Sequence, residues 1–186
     1  MDTGPITSHA FQVLVRPEQP GDEAGIRRVN DQAFGQRDES QIVDAVRAAG
    51  GFPISLVAVH GSTIVGHILF TPVSIESNGL RPRASGLGPM AVSPDVQRQG
   101  IGSRLVESGL QECRRLGYQV VVVIGHPQYY PCFGFRPGRT FGLRSEFDVP
   151  DEVFMVLELT PGALGDAAGV VRYLPEFGSG NSAALD

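Results

Sequence analysis

The chain has 186 residues, 41% of them hydrophobic, enough to bury one substantial core and short of the length at which a second domain is expected. A formal net charge of -5, with no block of like charges, excludes a surface built to neutralise a polyanion, so nucleic acid is not an expected partner. The start, Met1 to Ala10, lacks a basic stretch followed by an apolar one, and no segment is apolar for the length a membrane helix needs, so a cytoplasmic protein without a membrane partner is expected.

Gln12 to Arg16 read as a short strand that Pro17 to Gly21 break, after which Ile26, Val29 and Phe34 supply the apolar face of a first helix. Asp38 or Ser40 is placed to cap a second helix carrying Ile42, Val43 and Val46, which Gly50 and Gly51 end. Ser55 to His60 and Thr63 to Val73, rich in Val and Ile and joined at Gly61, form a hairpin, and Leu87 to Val92 add the next strand of a meander. Ile101, Leu105, Leu110, Cys113 and Leu116 recur at helical spacing up to Gly117, and Val120 to Ile124 read as a strand buried on both faces. A short helix over Pro127 to Phe133 and strands over Val153 to Leu159 and Val170 to Leu174 follow. The expected organisation is a flexible N-terminus over 1–11, one domain over 12–177 and a disordered tail over 178–186. Cys113 and Cys132 make neither a disulfide framework nor a four-ligand zinc site, so two reduced, buried thiols and no metal are expected.

Leu87 to Leu105 carry the chemistry: an apolar strand runs through Pro94 and Asp95 into a glycine-bearing turn that opens a helix. A helix N-terminus presents unpaired N–H groups and the positive end of the dipole, and Gly100 and Gly102 lack the Cβ atoms that would hold an anion away. A phosphate-binding loop of the Walker kind needs a Gly-Lys pair, which a chain whose 15 basic residues are all arginine does not contain. A dinucleotide fingerprint fails as well, since Gly100-Ile101-Gly102 lacks its third glycine and its downstream acidic residue. The alternative is a tight turn whose glycines serve packing alone.

Gln97-Arg98-Gln99-Gly100-Ile101-Gly102 matches the [Gln/Arg]xxGx[Gly/Ala] signature of the GNAT superfamily, the acyl-CoA-dependent N-acyltransferases. Gly125 to Phe135, Val65 to Ile68 and Val149 to Met155 resemble the YhbS-like branch, in the same order along the chain. The resemblance implies an α/β (α+β) fold with a mixed, mainly antiparallel sheet whose fourth and fifth strands splay to admit acetyl-CoA. It implies that Met90, Ala91 and Val92 pair with the pantetheine arm, and that Gln97, Arg98, Gln99, Gly100, Ile101, Gly102 and Ser103 surround the diphosphate, with His126 and Tyr130 beside the thioester. The implied reaction is direct transfer of acetyl to a primary amine, borne by a small molecule or a protein, without a metal.

An alkylamine is mostly protonated at neutral pH, a deficit of about 3 pK units, so a base or water chain must take a proton before attack. Tyr130, four residues before Gly134, occupies the family's tyrosine position and is the expected acid for the leaving thiolate; Tyr129 is expected only to pack beside it. Many relatives carry a glutamate on the fourth strand as base, but Arg83 to Gly86 hold no carboxylate, which leaves Glu39, His67, His126 or water. The missing carboxylate also fits a non-catalytic acyl-CoA-binding sensor of the same fold. The acyl-chain preference stays open, as does homodimerisation.

Overall fold

The computed structural model describes residues 12–50, 54–77 and 81–178. The regions expected to be a flexible N-terminus and a disordered tail lie outside these, save for Gly178. A short strand β1 (Leu14–Pro17) leads into helix α1 (Glu23–Phe34), which stops at Gly35 in the left-handed conformation. Ile26, Val29 and Asn30 form its buried face, whereas Phe34 is 37% exposed and does not complete it. At 100° per residue Phe34 stands about 80° round the helix from Ile26, which is why the expected apolar face ends before it. Helix α2 (Asp38–Ala48) begins without a side-chain cap, contrary to expectation. Ser40 donates instead to the Asp31 carboxylate and the Arg37 carbonyl, tying α2 to α1.

Strand β2 (Ile54–His60) turns through Gly61 (φ 58°) into β3 (Thr63–Ser77), which is long enough to pair first with β2 and then with β9 (Gly169–Arg172). Strand β4 (Ala84–Val92) pairs antiparallel with β3, helix α3 (Ile101–Arg115) crosses over, and β5 (Val120–Ile124) returns parallel to β4. The short strands β6 (Arg136–Pro137) and β7 (Leu143–Ser145) and then β8 (Phe154–Glu158) complete the order β1-β2-β3-β4-β5-β8-β6, with β9 joining β3 to β7. Strands β6 and β7 have two and three residues, too few for a periodicity to reveal.

The sheet divides the core. Ile101, Leu105, Val106, Leu110 and Cys113 of α3 pack on Ile68, Phe70, Leu87, Val121 and Val123. Helices α1 and α2 cover Val57, Leu69 and Ala91 on the opposite face, and Val120, Val122, Leu143, Phe154 and Val171 form a third cluster. Helix α3 approaches closely because Gly109 faces Phe70: a Cβ there would lie 2.1 Å from Phe70 Cε2. Cys113 is buried as expected, and burial pushes its thiol up to about 12. Cys132 is exposed, which corrects the expectation of two buried thiols. It sits on the outside of the turn Tyr130–Phe133, and its Sγ donates to the Tyr129 carbonyl.

Candidate active site

Strand β4 has two halves. From Ala84 to Leu87 it is hydrogen-bonded on both sides, to β3 and to Val120 through Val123 of β5. The pairing with β5 then ends, while Met90, Ala91 and Val92 stay paired with Ile68, His67 and Gly66 of β3. The β5-facing edge of Met90 to Val92 therefore keeps backbone donors and acceptors that no neighbouring strand takes up, and the expected splay of the fourth and fifth strands is present.

The open edge leads into the turn before α3. Gln97 Nε2 donates to the Val92 carbonyl at 3.1 Å and ties the turn to the strand end. Arg98 (φ 60°) and Gly100 (φ 79°) both take the left-handed conformation, which turns successive N–H groups toward one side. No side chain caps α3, so the N–H groups of its first turn have no side-chain partner. Gln97, Arg98, Gln99 and Gly100 are exposed, Gly102 and Ser103 are half-buried, and Ile101 turns its side chain into the core and offers only its backbone. A Cβ on Gly102 would stand 3.6 Å from both Met90 Sδ and Met90 Cε, so the strand edge and the helix start are in contact.

Beyond β5, the exposed His126 accepts the N–H groups of Tyr129 (3.0 Å) and Tyr130 (3.4 Å) on its carbonyl. Tyr130 is 6% exposed, its ring packed over Gly125 and edge-on to Phe135. Burial raises its pKa, so the phenol stays protonated beyond the usual tyrosine range. Its hydroxyl has no hydrogen-bond partner among the described residues. Tyr129 packs edge-on against Tyr130 at 5.1 Å, as expected, and its hydroxyl also reaches α3, 2.9 Å from where a Gly102 Cβ would be.

The candidate bases fare differently. His67 is fully buried: Asn30 Nδ2 donates to its Nδ1 at 3.1 Å, so Nε2 carries the proton and donates to Ser55 Oγ, also at 3.1 Å. Ser55 in turn donates to Glu18, which pairs with Arg47 at 2.9 Å. Burial first, and then the Arg47 charge, push the His67 pKa down to about 3. With both ring nitrogens occupied, His67 is a structural histidine of the α1 face. Glu39 is buried in the first turn of α2, where its carboxylate accepts the Gln36 side-chain amide. His126 alone of the three is open to solvent.

A cavity of about 290 Å³ lies at the end of β5, where Phe154 pairs with Ile124, on the face opposite α3. Arg144, Ser145, Glu146, Phe147 and Asp148 contribute to its lining. A larger one, of about 780 Å³, lies at the Ala84 end of β4, away from the α3 turn, and is lined by Pro72, Arg83 and Tyr118 among others. It is remote from both the Met90 to Val92 edge and the uncapped start of α3. Among the described residues no group of His, Cys, Asp and Glu could hold a metal ion, and no helix is long and apolar enough to cross a membrane.

A parallel strand pair that opens toward an uncapped helix has the geometry to receive a ligand with an anionic group and a long, hydrogen-bonding arm. The family model for the acetyltransferase (GNAT) domain matches residues 14–138. The chain is 31% identical over 166 residues to the uncharacterized N-acetyltransferase YhbS of Escherichia coli K12, covering 89% of this chain and 98% of YhbS. It is 36% identical over 154 residues to the uncharacterized N-acetyltransferase YjhQ of the same organism, covering 79% and 82%. The crystal structure of Escherichia coli YhbS in complex with CoA superimposes with a TM-score of 0.86 at 30% identity, covering 96% of each chain. A GNAT family acetyltransferase from Brucella melitensis in complex with acetyl-CoA does so with a TM-score of 0.74 at 34% identity, covering 90% of this chain and 99% of the other. The chain belongs to the GNAT family of acetyltransferases and is YhbS-like.

Proposed function

We propose that this protein transfers an acetyl group from acetyl-CoA to a primary amine by direct attack of the amine on the thioester. The observation that carries the reading is the end of β4–β5 pairing at Leu87 and Val123, with β4 running on alone to the uncapped start of α3. The β5-facing edge of Met90 to Val92, apart from the Val92 carbonyl that Gln97 takes, suits the amide groups of the pantetheine arm, and the N–H groups from Gly100 to Ser103 suit the diphosphate. Each charge-assisted bond contributes roughly 1.5 to 3 kcal/mol, so a few reach the scale of micromolar affinity before association entropy is charged, and the pantetheine arm must supply the rest. Relatives held with CoA and with acetyl-CoA support this assignment.

Tyr130 acts on the leaving thiolate. Its raised pKa makes it a weak acid, but the thiolate forming beside it suffers the same desolvation, and a hydrogen bond from the phenol stabilises that charge as it develops. The amine gives up its proton to water or to His126, since His67 and Glu39 are committed within the fold. The acceptor enters from the cavity beneath β7, where Asp148 and Asp151 stand beside Arg139 and Arg144, Phe147 offers an apolar wall, and Glu146 is committed to Arg172 and the Tyr173 N–H.

Calorimetric titration with acetyl-CoA, followed by an acetylation assay on a broad amine panel, tests the reading. Binding with turnover on at least one amine supports it, and absence of binding by folded protein overturns it. The second reading, a non-catalytic acyl-CoA sensor, is favoured by one observation: Arg83 to Gly86 place no carboxylate on β4. It predicts binding without turnover on any amine.

A further inference from the structure

Tyr129 comes from the turn after β5, and its hydroxyl meets the helix after β4, so the side chain spans the gap between the two strands at the end where they part. Its ring is held edge-on by Tyr130 at 5.1 Å and by Phe133 at 5.3 Å, which fixes the direction of the hydroxyl. That hydroxyl lies over Gly102, 2.9 Å from where a Cβ would be, and Ser103 is the polar side chain beside it. A phenylalanine would pack equally well against both rings; what the oxygen adds is a hydrogen bond with the Ser103 side chain on the first turn of α3.

We propose that Tyr129 is a cofactor-binding residue whose hydroxyl donates to a diphosphate oxygen of acetyl-CoA seated on the first turn of α3, leaving Tyr130 for the thioester. The assignment rests on the proposed function. Backbone N–H groups approach the diphosphate from below, and Tyr129 supplies a donor from the opposite side of the cleft. Burial keeps the phenol protonated, as a donor must be. The two adjacent tyrosines, in edge-on ring contact, then divide the work: Tyr129 sets affinity and Tyr130 sets rate.

The test compares acetyl-CoA with acetylpantetheine, which lacks the diphosphate, in calorimetric titrations of wild type and Tyr129→Phe, with melting curves as the check on folding. Tyr129→Phe is expected to weaken acetyl-CoA roughly tenfold, to leave acetylpantetheine within about twofold, and to leave kcat at saturating acetyl-CoA within about twofold. Unchanged acetyl-CoA affinity in Tyr129→Phe, or equal losses for both thioesters, overturns the assignment while the proposed function stands. Failure of wild type to bind acetyl-CoA overturns both.

Discussion

Two polar regions of this molecule, on opposite faces of one sheet, treat their hydrogen-bonding groups in opposite ways. Beneath α1, Glu18, Ser55, His67 and Asn30 form a chain in which both imidazole nitrogens are occupied, and only Asn30 Oδ1 lacks a partner among the described residues. At the start of α3, by contrast, several backbone N–H groups, the β5-facing edge of β4 and the Tyr130 hydroxyl wait for a partner near the surface. Buried groups left unpaired destabilise a fold, so the first region is closed on itself; groups left unpaired at a solvent-reached cleft are available to a ligand. Histidine in a strand and tyrosine in a turn were equally plausible chemistry in the sequence, and the difference lies in what surrounds them.

The comparison breaks most visibly at Tyr130. Tyr130→Phe is expected to lower kcat about 100-fold or more on any amine the wild type accepts, with acetyl-CoA affinity nearly unchanged, measured by steady-state kinetics and calorimetry. Retained kcat would remove Tyr130 from the chemistry. A smaller effect is expected on the closed side: His67→Leu withdraws two hydrogen bonds and leaves Asn30 and Ser55 each short of a partner, a loss of about 2 kcal/mol in chemical denaturation, with acetyl-CoA affinity unchanged. A change in affinity there would join the two regions that the structure separates.

The same histidine gives a pH signature. Its folded pKa is depressed to about 3, so between there and its ordinary value of 6.5 the unfolded chain binds a proton that the folded chain does not. Its contribution to stability is therefore complete above about pH 6.5 and is lost progressively as pH falls toward 3. The stability gap between wild type and His67→Leu should narrow from pH 7 to pH 4.5, and a gap constant over that range contradicts a neutral, buried His67. The smallest effect concerns the thiols: alkylation of the native protein should modify Cys132 alone, Cys113 reacting only after unfolding, as mass spectrometry would read.

Much of this was legible because periodicity and punctuation were strong. The turn of the hairpin at Gly61, the buried run Val120 to Ile124 and the α3 stripe from Ile101 to Cys113 lie within a residue or two of expectation, and Gly100 stands at the α3 N-cap, while β3 runs four residues past Val73 to pair with β9. What escaped reading depended on direction. Adjacent residues in an irregular turn diverge by angles that only the folded backbone sets, so Tyr129 reaching α3, Tyr130 packing its ring over Gly125 and Cys132 facing solvent could not be told apart by spacing. Strands β6 and β7 were too short to show a period, and Ser40 was read as a cap because its tertiary partner Asp31 sits nine positions away in another helix.

The account turns on acetyl-CoA seating at the start of α3, and Gly102→Glu asks about that most directly. Gly100 is the poorer choice, since its left-handed conformation (φ 79°) strains any side chain, whereas Gly102 lies within the helix and a Cβ there first meets the Tyr129 hydroxyl (2.9 Å) and then the Met90 side chain (3.6 Å). A carboxylate there suits the helix dipole by about 0.3 to 1 kcal/mol and repels a diphosphate. Calorimetry should show binding of acetyl-CoA by wild type and at least a 100-fold loss in a Gly102→Glu variant that melts within a few degrees of it. Equal affinity in the two proteins would contradict the site.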